Sequence, residues 1–400
     1  MEHRHYSSKL ILIFLIIFTS LILIFNLYIN VIGDFSGYTE LARSFINKRL
    51  YLVHTSIQED YVLYDGKYYL HQGPTPAILL IPFVFISDLF KAPFYQSLLH
   101  VFVFLGALFI CFRISKSFKY NTKDSLYLAY AFCLASVYQS ISVIPISSYL
   151  SQSVGVFFVL LAIYEFLGKK RYFVIGFFSA LALASRFITG LTIMFFIFEI
   201  FLNPKYRLRE KFAKLASLST PYVLMVFVLM IYNYLRFGNF LDSGYTKVTS
   251  FPTGNSLFAF SNIPMNFYYY FIKTFEVSFV ENRNILISKL IPKLPFLKVV
   301  EPGTSFFVVS PIFLSVFRAN FKKRIVRLSL LTILIIVTIL FTYYSPGWTQ
   351  VGPRYMIDVL PFLFLLLLYS IKPRQLSIKI KFVILLSSLF NFYLFLSVFL

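Results

Sequence analysis

Acidic side chains are concentrated just after the first long apolar segment of the chain. Asp34 directly follows that segment, and Glu40, Glu59, Asp60 and Asp65 come in the same loop. A carboxylate at a membrane surface is able to take the proton of an attacking hydroxyl group, which is general-base catalysis. Asp34 is therefore our candidate general base, although an acid just past a membrane helix is also common as a solvated flank.

Two arginines and two further donors have the chemistry to bind an anion. Arg186 lies in LASRFITG, between two apolar segments, and Arg354 lies in GWTQVGPRYMIDVLPF, at the mouth of another. Lys67 and His71, in YDGKYYLHQGPTP, add donors from the acidic loop. An arginine near a membrane needs a partner, and phosphate accepts two parallel hydrogen bonds from it. A lone arginine at a helix mouth also serves as an interfacial anchor.

The motifs that usually bind nucleotides and metals are missing from the sequence. It contains no GxxxxGK, GxGxxG, HExxH or Asp-x-Asp pattern. His54 and His71 have no partner at metal-ligand spacing, so a divalent metal is unsupported and no cofactor is evident. If the protein transfers a sugar, we therefore expect a lipid-linked phosphate sugar as the donor, reached from within the bilayer.

The composition indicates a protein that crosses a membrane many times. Of 400 residues, 58% are hydrophobic and 13% are charged, whereas soluble domains are about a quarter charged. No charged residue lies between Leu10 and Gly33, and roughly 20 apolar residues cross a bilayer. No small-residue cleavage site precedes Asp34, so we expect an uncleaved anchor. The expected fold is an all-α polytopic membrane protein with a single integral domain, 1–400.

The distribution of charge predicts the topology. More than half of the 37 Lys and Arg lie near the amino terminus or in five short loops, and 11 of the 16 acids lie on the other side. The five loops are 113–123, 168–171, 203–214, 318–324 and 372–381. Because basic loops stay cytoplasmic, we expect the amino terminus inside and the carboxyl terminus outside the plasma membrane. The net charge of +21 then needs no nucleic-acid partner.

The alternation of apolar runs and loops predicts about eleven spans. They are roughly 10–32, 94–112, 124–141, 149–167, 172–187, 188–202, 214–235, 304–317, 328–345, 354–371 and 381–399. The apolar run 76–90 contains Pro82 and Asp88 and is predicted to be an interfacial helix. Outer segments 34–93 and 236–303 then form the presumed active-site side, and SNIPMNFYYYFIKTF is expected to form another interfacial helix.

Two cysteines, Cys111 and Cys133, fall in predicted spans. They show neither a disulfide framework nor zinc-ligand spacing. We expect both to be packing residues.

Several segments together resemble the GT-C superfamily of polyprenyl-phosphate-sugar transferases, which includes protein O-mannosyltransferases and lipid A aminoarabinose transferases. The segments are DFSGYTELARSFINKRLYL, YYLHQGPTPAILLIPF, GFFSALALASRFITGLTIM, YNYLRFGNFLDSGYT and YSPGWTQVGPRYMIDVLPF. They occur in order over residues 10 to about 371. Tyr38 and Ala42 match positions after the first-loop acid, and Pro74 and Pro76 match a proline pair before an interfacial helix.

The resemblance implies a role for each of the candidate residues. Asp34 would be catalytic, Arg186 and Arg354 would bind phosphate, and Tyr38 would lie in the substrate site. The start of the fourth span departs from the superfamily pattern, because it reads SSYLSQSVG and carries no acid.

We therefore predict a glycosyltransferase that moves a sugar from a polyprenyl-phosphate donor to a hydroxyl of a glycan, lipid or protein acceptor. Lys67, His71 and Asp65 are further residues that we expect to bind the substrate or its phosphate. A membrane transporter or flippase for a glycolipid or anionic solute is the alternative from another class, and a surface-polysaccharide polymerase or ligase shares the predicted topology. Transporters tend to show repeated halves and charges at mid-membrane, which this sequence lacks.

Overall fold

The structure, a computed structural model, is mainly helical and contains two small β-hairpins. It describes residues 2–56, 59–248, 256–282, 289–348, 350–371 and 374–399. The helices in these ranges are α1 (Glu2–Gly33), α2 (Gly37–Ile46), α3 (Thr75–Leu89), α4 (Ser97–Ser117), α5 (Thr122–Cys133), α6 (Tyr138–Val143), α7 (Ser147–Leu167), α8 (Tyr172–Ser185), α9 (Phe187–Gly190), α10 (Ile193–Phe201), α11 (Leu208–Phe237), α12 (Ile263–Phe271), α13 (Phe306–Val309), α14 (Arg324–Thr342), α15 (Leu360–Ser370) and α16 (Ile378–Phe399).

Six of the described helices are long and apolar enough to cross a membrane. They are α1 (from Lys9), α4, α7, α11, α14 and α16. Shorter apolar helices are α3, α8, α9 with α10, and α15. The prediction of an all-α membrane protein agrees with this architecture. Cys111 and Cys133 are free and buried, as predicted for packing residues.

Two predicted spans are interrupted helices, and a third is not a regular helix. Span 124–141 is divided into α5 and α6, and span 188–202 into α9 and α10. The prediction of one helix over 304–317 is wrong, because this segment contains the single turn α13 followed by a 3-10 stretch, Pro311–Arg318. Pro311 has no backbone N–H and its ring collides with the preceding turn, so a regular helix cannot continue through it.

The first outer segment contains α2, one hairpin and α3. The hairpin pairs β1 (Val62–Tyr64) with β2 (Lys67–Tyr69) in antiparallel register. Asp65 and Gly66 form its turn, with φ of 49° and 67°. Positive φ at both central residues is typical of a tight two-residue hairpin turn and explains the Asp-Gly pair. The helix predicted over 76–90 corresponds to α3.

The second outer segment contains α12 and a longer hairpin. Helix α12 lies where the aromatic sequence predicted a helix. The hairpin pairs β3 (Glu276–Asn282) with β4 (Lys289–Lys298). Sequence analysis did not predict these strands.

Ion pairs join the basic loops at one end of the helix bundle, which we call the basic pole. Lys381 Nζ lies 2.9 Å from Asp124 Oδ1, which connects the starts of α16 and α5. Arg324 lies 2.9 Å from Glu199, which connects the start of α14 with the end of α10. The basic loops that were predicted to lie on one side of the membrane therefore meet at one end of the bundle. We call the other end the opposite pole.

Helix α8 packs closely against α11 at a glycine. A Cβ atom at Gly176 would collide with the backbone carbonyl of Leu218 and lie 3.0 Å from Cγ of Pro221. Small residues let membrane helices approach each other at backbone distance. Gly176 therefore fixes the spacing of α8, the helix that ends just before Arg186.

We predict that Gly176→Ala lowers the free energy of unfolding by about 1–3 kcal/mol, the usual cost of overpacking. Thermal unfolding of the purified protein in detergent measures the change. Phe173→Leu, which alters an exposed side chain on the same helix, is the control. Equal unfolding temperatures for Gly176→Ala and the wild type would contradict the proposed contact.

Candidate active site

Arg186 and Arg354 face the same tyrosine ring at the opposite pole. The guanidinium carbon of Arg186 lies 4.9 Å from the centre of the Tyr355 ring, and that of Arg354 lies 5.2 Å from it. Cation–π contacts of this length hold a guanidinium group without using its hydrogen-bond donors. The fold thus brings together two cations that are 168 positions apart in the sequence.

Asp358 is the buried partner of Arg186. Arg186 Nε donates to Asp358 Oδ2 at 3.2 Å, and the Thr189 hydroxyl donates to the other carboxylate oxygen. Asp358 is fully buried, whereas 13% of the Arg186 side chain is exposed. Sequence analysis missed this residue, although an acid inside a predicted span was an available signal.

Arg354 has no ion-pair partner among the described residues. Its Nη2 donates to the Tyr355 hydroxyl at 3.3 Å, and its guanidinium group lies 5.3 Å from the centre of the Tyr149 ring. Its Nε is buried and makes no hydrogen bond within the described part of the chain. Because Asp358 balances one arginine, the pair retains a net positive charge and an unused donor.

Gln152 adds an unsatisfied amide on the same face of α7. Tyr149, Gln152 and Gly155 are spaced three residues apart, which places them on one side of a helix. Tyr149 contacts Arg354, and a Cβ at Gly155 would lie 3.2 Å from Thr189. Both polar atoms of the fully buried Gln152 side chain lack a hydrogen-bond partner in the described ranges. Buried polar groups are normally satisfied, so this face has capacity for water or a ligand.

His71 approaches the arginines from the first outer segment. Its ring contacts the Tyr245 ring at 4.7 Å between centroids, and its Nδ1 is buried with no hydrogen-bond partner in the described chain. Burial, with the charges of Arg186, Arg236 and Arg354, lowers the pKa of His71 to about 3. The imidazole is therefore neutral at physiological pH and offers one donor and one acceptor.

A close backbone contact fixes the segment that carries His71. Gly73 N donates to the carbonyl of Ser185 at 3.3 Å. A Cβ atom at Gly73 would collide with the Ala184 carbonyl, so a larger residue does not fit here. Arg236 Nη1 donates to the Leu70 carbonyl at 2.7 Å and holds the other side of the segment. His71 is thereby placed beside the break between α8 and α9 that carries Arg186.

Tyr38, Lys67 and Asp65 lie outside the arginine cluster. Tyr38 is fully buried, and its hydroxyl donates to the Gly73 carbonyl at 3.0 Å, which supports the His71 segment. Lys67 Nζ lies 5.2 Å from the centre of the Tyr51 ring. Asp65 lies in the exposed β1–β2 turn. The structure thus places the His71 segment beside the break that carries Arg186, whereas Lys67 and Asp65 lie elsewhere.

Asp34 is exposed at the end of α1, and its φ is 46°. Such left-handed residues commonly end helices, and aspartate tolerates the conformation better than most residues. No hydrogen bond or ion pair holds its carboxylate within the described ranges, so it is accessible to an external hydroxyl. Burial and the charges of Glu59, Asp34 and Glu40 raise the pKa of Tyr61.

Glu59 is a buried carboxylate that contacts the start of α7. Its oxygens accept hydrogen bonds from Ser147 N at 3.0 and 3.1 Å, from Ser147 Oγ at 2.8 Å and from Gln96 Nε2 at 3.2 Å. Burial raises the pKa of Glu59 to about 7, and these hydrogen bonds oppose the rise. The sequence at the start of α7, the predicted fourth span, contains no acid. In the fold, Glu59 of the first outer segment places a carboxylate there. Sequence analysis named Glu59 but did not predict this position.

The charges of Asp60 and Arg354 both act on Tyr344. Tyr344 lies close enough to Asp60 and to Arg354 to interact electrostatically with both. Asp60 itself is exposed. The acidic loop and the arginine cluster therefore border the same region of the opposite pole.

The arrangement has the chemical capacity to bind an anion. Two guanidinium groups, a neutral imidazole and an unsatisfied amide supply donors, and tyrosine rings surround them. In the part of the chain that the structure describes, no group of three His, Cys, Asp or Glu side chains forms a candidate metal site. Comparisons of the chain with protein-family models, with curated proteins and with solved structures find no match in any of the three.

We predict that the stability of the wild type relative to Glu59→Gln falls as pH rises from about 4.5 to 7. The folded protein holds a proton on Glu59 up to about pH 7, whereas the unfolded chain releases it near pH 4.5. Rising pH therefore favours unfolding of the wild type across this window, by on the order of 3 kcal/mol in total. Glutamine keeps an acceptor for Ser147 and does not titrate.

Thermal unfolding of both proteins in detergent between pH 4 and pH 8 measures this difference. Asp60→Asn, which alters the exposed neighbouring acid, should not reproduce it. A stability difference between wild type and Glu59→Gln that stays constant across the window would contradict the raised pKa.

Proposed function

We propose that this protein is a membrane glycosyltransferase that uses a polyprenyl-phosphate sugar as its donor. Its opposite pole would face the outside of the plasma membrane, and the basic pole with the amino terminus would face the cytoplasm. The observation that carries the proposal is the pairing of Arg186 and Arg354 over Tyr355, with one carboxylate for two cations. A phosphate is the anion that best fits two guanidinium groups in a partly buried site.

The donor phosphate would bind between the two arginines. Arg354 has an unused Nε–H, and the Arg186 side chain remains partly exposed beside Asp358. The Gln152 amide and the neutral His71 ring supply further hydrogen bonds to phosphate or sugar hydroxyls. The isoprenoid tail would extend along the apolar surfaces of the surrounding helices.

The reaction would proceed by a single displacement at the anomeric carbon. Asp34 accepts the proton of the acceptor hydroxyl while its oxygen forms a bond to that carbon. The bond between the anomeric carbon and the phosphate oxygen breaks, and its electron pair stays on the phosphate. Arg186 and Arg354 stabilise the charge that develops there, which lowers the barrier most if their positions are fixed beforehand. The anomeric configuration is inverted.

Aromatic and acidic side chains near the arginines fit a sugar. Tyr245 and Tyr343 would provide ring faces for the apolar side of a pyranose, and Asp60 would offer an acceptor for its hydroxyls. Tyr343 and Tyr355 already contact each other with 5.7 Å between their ring centres. The acceptor hydroxyl would enter from the side of the first outer segment, where Asp34 is exposed.

We predict that Asp34→Asn lowers sugar transfer at least about 100-fold, the lower end of the contribution of a general base. The exposed side chain has no structural partner in the described ranges, so the unfolding temperature should stay at the wild-type value. Mass profiles of glycans and glycolipids from a deletion strain, complemented with each variant, measure transfer. Glu276→Gln, an exposed acid on β3, is the control. A normal profile with Asp34→Asn would remove Asp34 from the catalytic role.

We predict that Arg354→Ala weakens binding of the lipid-phosphate donor at least about tenfold, because a charge-assisted contact to phosphate is lost. Arg354→Lys should restore part of the affinity, since it keeps the charge but not the planar pair of donors. The matched control is Arg49→Ala. Arg49 also lies over a tyrosine ring, 5.9 Å from the centre of Tyr51, but it is not part of the arginine cluster. The affinity of each variant for the donor is measured in detergent. Equal losses of affinity in Arg354→Ala and Arg49→Ala would contradict the proposed site.

A further inference from the structure

A charged cavity lies at the basic pole, away from the proposed active site. Its volume is about 590 Å³, within the usual range for small-molecule sites. It lies between the ends of α4 and α7 and the start of α8. Arg113, Lys116, Lys169 and Arg171 line it together with Tyr164 and Glu165.

The cations that line this cavity outnumber its acids. Glu165 is the one carboxylate among the lining residues, and Arg171 pairs with it at 2.9 Å. Arg113 Nη2 donates to the Tyr164 hydroxyl at 3.1 Å, so this guanidinium group is oriented without being neutralised. Arg113, Lys116 and Lys169 have no ion-pair partner within the described ranges. The cavity therefore has about three positive charges in excess and fits an anion.

One face of α4 changes from apolar to basic along its length. Phe102, Leu105, Phe109, Arg113 and Lys116 follow each other at spacings of three or four residues, so they form a single stripe on the helix. All five side chains are exposed. On a helix that is long and apolar enough to cross a membrane, this stripe would meet acyl chains first and charged headgroups at its end.

The neighbouring face of α7 continues the apolar stripe. A Cβ atom at Gly106 would lie 2.7 Å from the Phe157 ring, so the glycine allows that ring to approach α4 closely. Phe157, Leu161 and Tyr164 form the partly exposed face of α7 beside it. The apolar faces of α4 and α7 therefore pack side by side and end at the cavity that Arg113 and Tyr164 line.

We infer that this cavity binds the phosphate of an anionic phospholipid from the leaflet at the basic pole. Its acyl chains would lie along Phe102, Leu105 and Phe109, and its phosphate would contact Arg113, Lys116 and Lys169. Basic pockets between membrane helices bind such headgroups. Loop charges that serve topology alone need neither a cavity nor an exposed apolar stripe that ends at it. This inference does not depend on the proposed glycosyl transfer.

Native mass spectrometry of the delipidated protein in detergent tests the site. Dioleoylphosphatidylglycerol and dioleoylphosphatidylcholine are added in separate titrations. We expect the wild type to bind the anionic lipid at least about tenfold more tightly. The triple variant Arg113→Gln, Lys116→Gln, Lys169→Gln should lose this preference while keeping its unfolding temperature.

A second triple variant controls for net charge. Lys205→Gln, Arg318→Gln and Lys322→Gln remove three exposed charges from the same pole and should leave the lipid preference unchanged. Equal binding of the two lipids by the wild type, or equal losses in both triple variants, would overturn the inference. If the first triple variant unfolds, the single variant Arg113→Gln replaces it. An unchanged preference of this single variant for the anionic lipid would also overturn the inference.

Competition separates a lipid from a free phosphate ester. Glycerol 3-phosphate carries the same charged group without acyl chains, and it should not displace the anionic lipid at equal concentration. If it competes equally well, the ligand is a soluble phosphate ester and the lipid assignment is wrong.

Discussion

A buried carboxylate holds the amino-terminal ends of three helices together. Glu59 contacts Ser147 at the start of α7 and the Gln96 side chain at the start of α4, and Gln96 Oε1 accepts a hydrogen bond from Tyr38 N in the first turn of α2. Helix amino termini present unsatisfied N–H groups and partial positive charge. Glu59 accepts a hydrogen bond from Ser147 N of α7 directly, and it orients Gln96 to accept one from Tyr38 N of α2. The first outer segment is thereby fixed to the bundle, and it carries Asp34, Asp60 and His71.

The arginine cluster depends on this attachment and on a break in the membrane helices. Arg186 lies in extended backbone between α8 and α9, with φ of −157° and ψ of 128°. Gly73 of the first outer segment donates to the carbonyl of Ser185 at the break, and Thr189 just after it contacts Asp358. An ordinary helical residue would point along one face of α8. The break directs the arginine toward Tyr355 and Arg354, and the loop covers it.

Sequence analysis predicted the membrane class and most helix positions, and it selected Arg186 and Arg354, which the structure places over one tyrosine ring. These follow from hydropathy, charge and residue chemistry, which act locally. The partners Asp358 and Glu59 were not predicted, because ion pairs and hydrogen bonds across more than 80 residues depend on tertiary packing. The irregular segment 304–317 was predicted as a helix because hydropathy outweighed Pro311. Strands β3 and β4 were missed because each is stabilised by pairing with the other. That contact is not visible in the apolar pattern of either strand alone.

The neutral state of His71 has a consequence for how the site responds to acidity. Guanidinium groups stay protonated throughout the accessible range, and the pKa of His71 is lowered to about 3. The number of cations around the Tyr355 ring is therefore constant from about pH 4 to about pH 10. For the proposed glycosyl transfer, a profile of turnover against pH would have one acidic limb, set by a carboxylate of the first outer segment or by the ligand itself. A bell-shaped profile would require a second titrating group from outside the cluster.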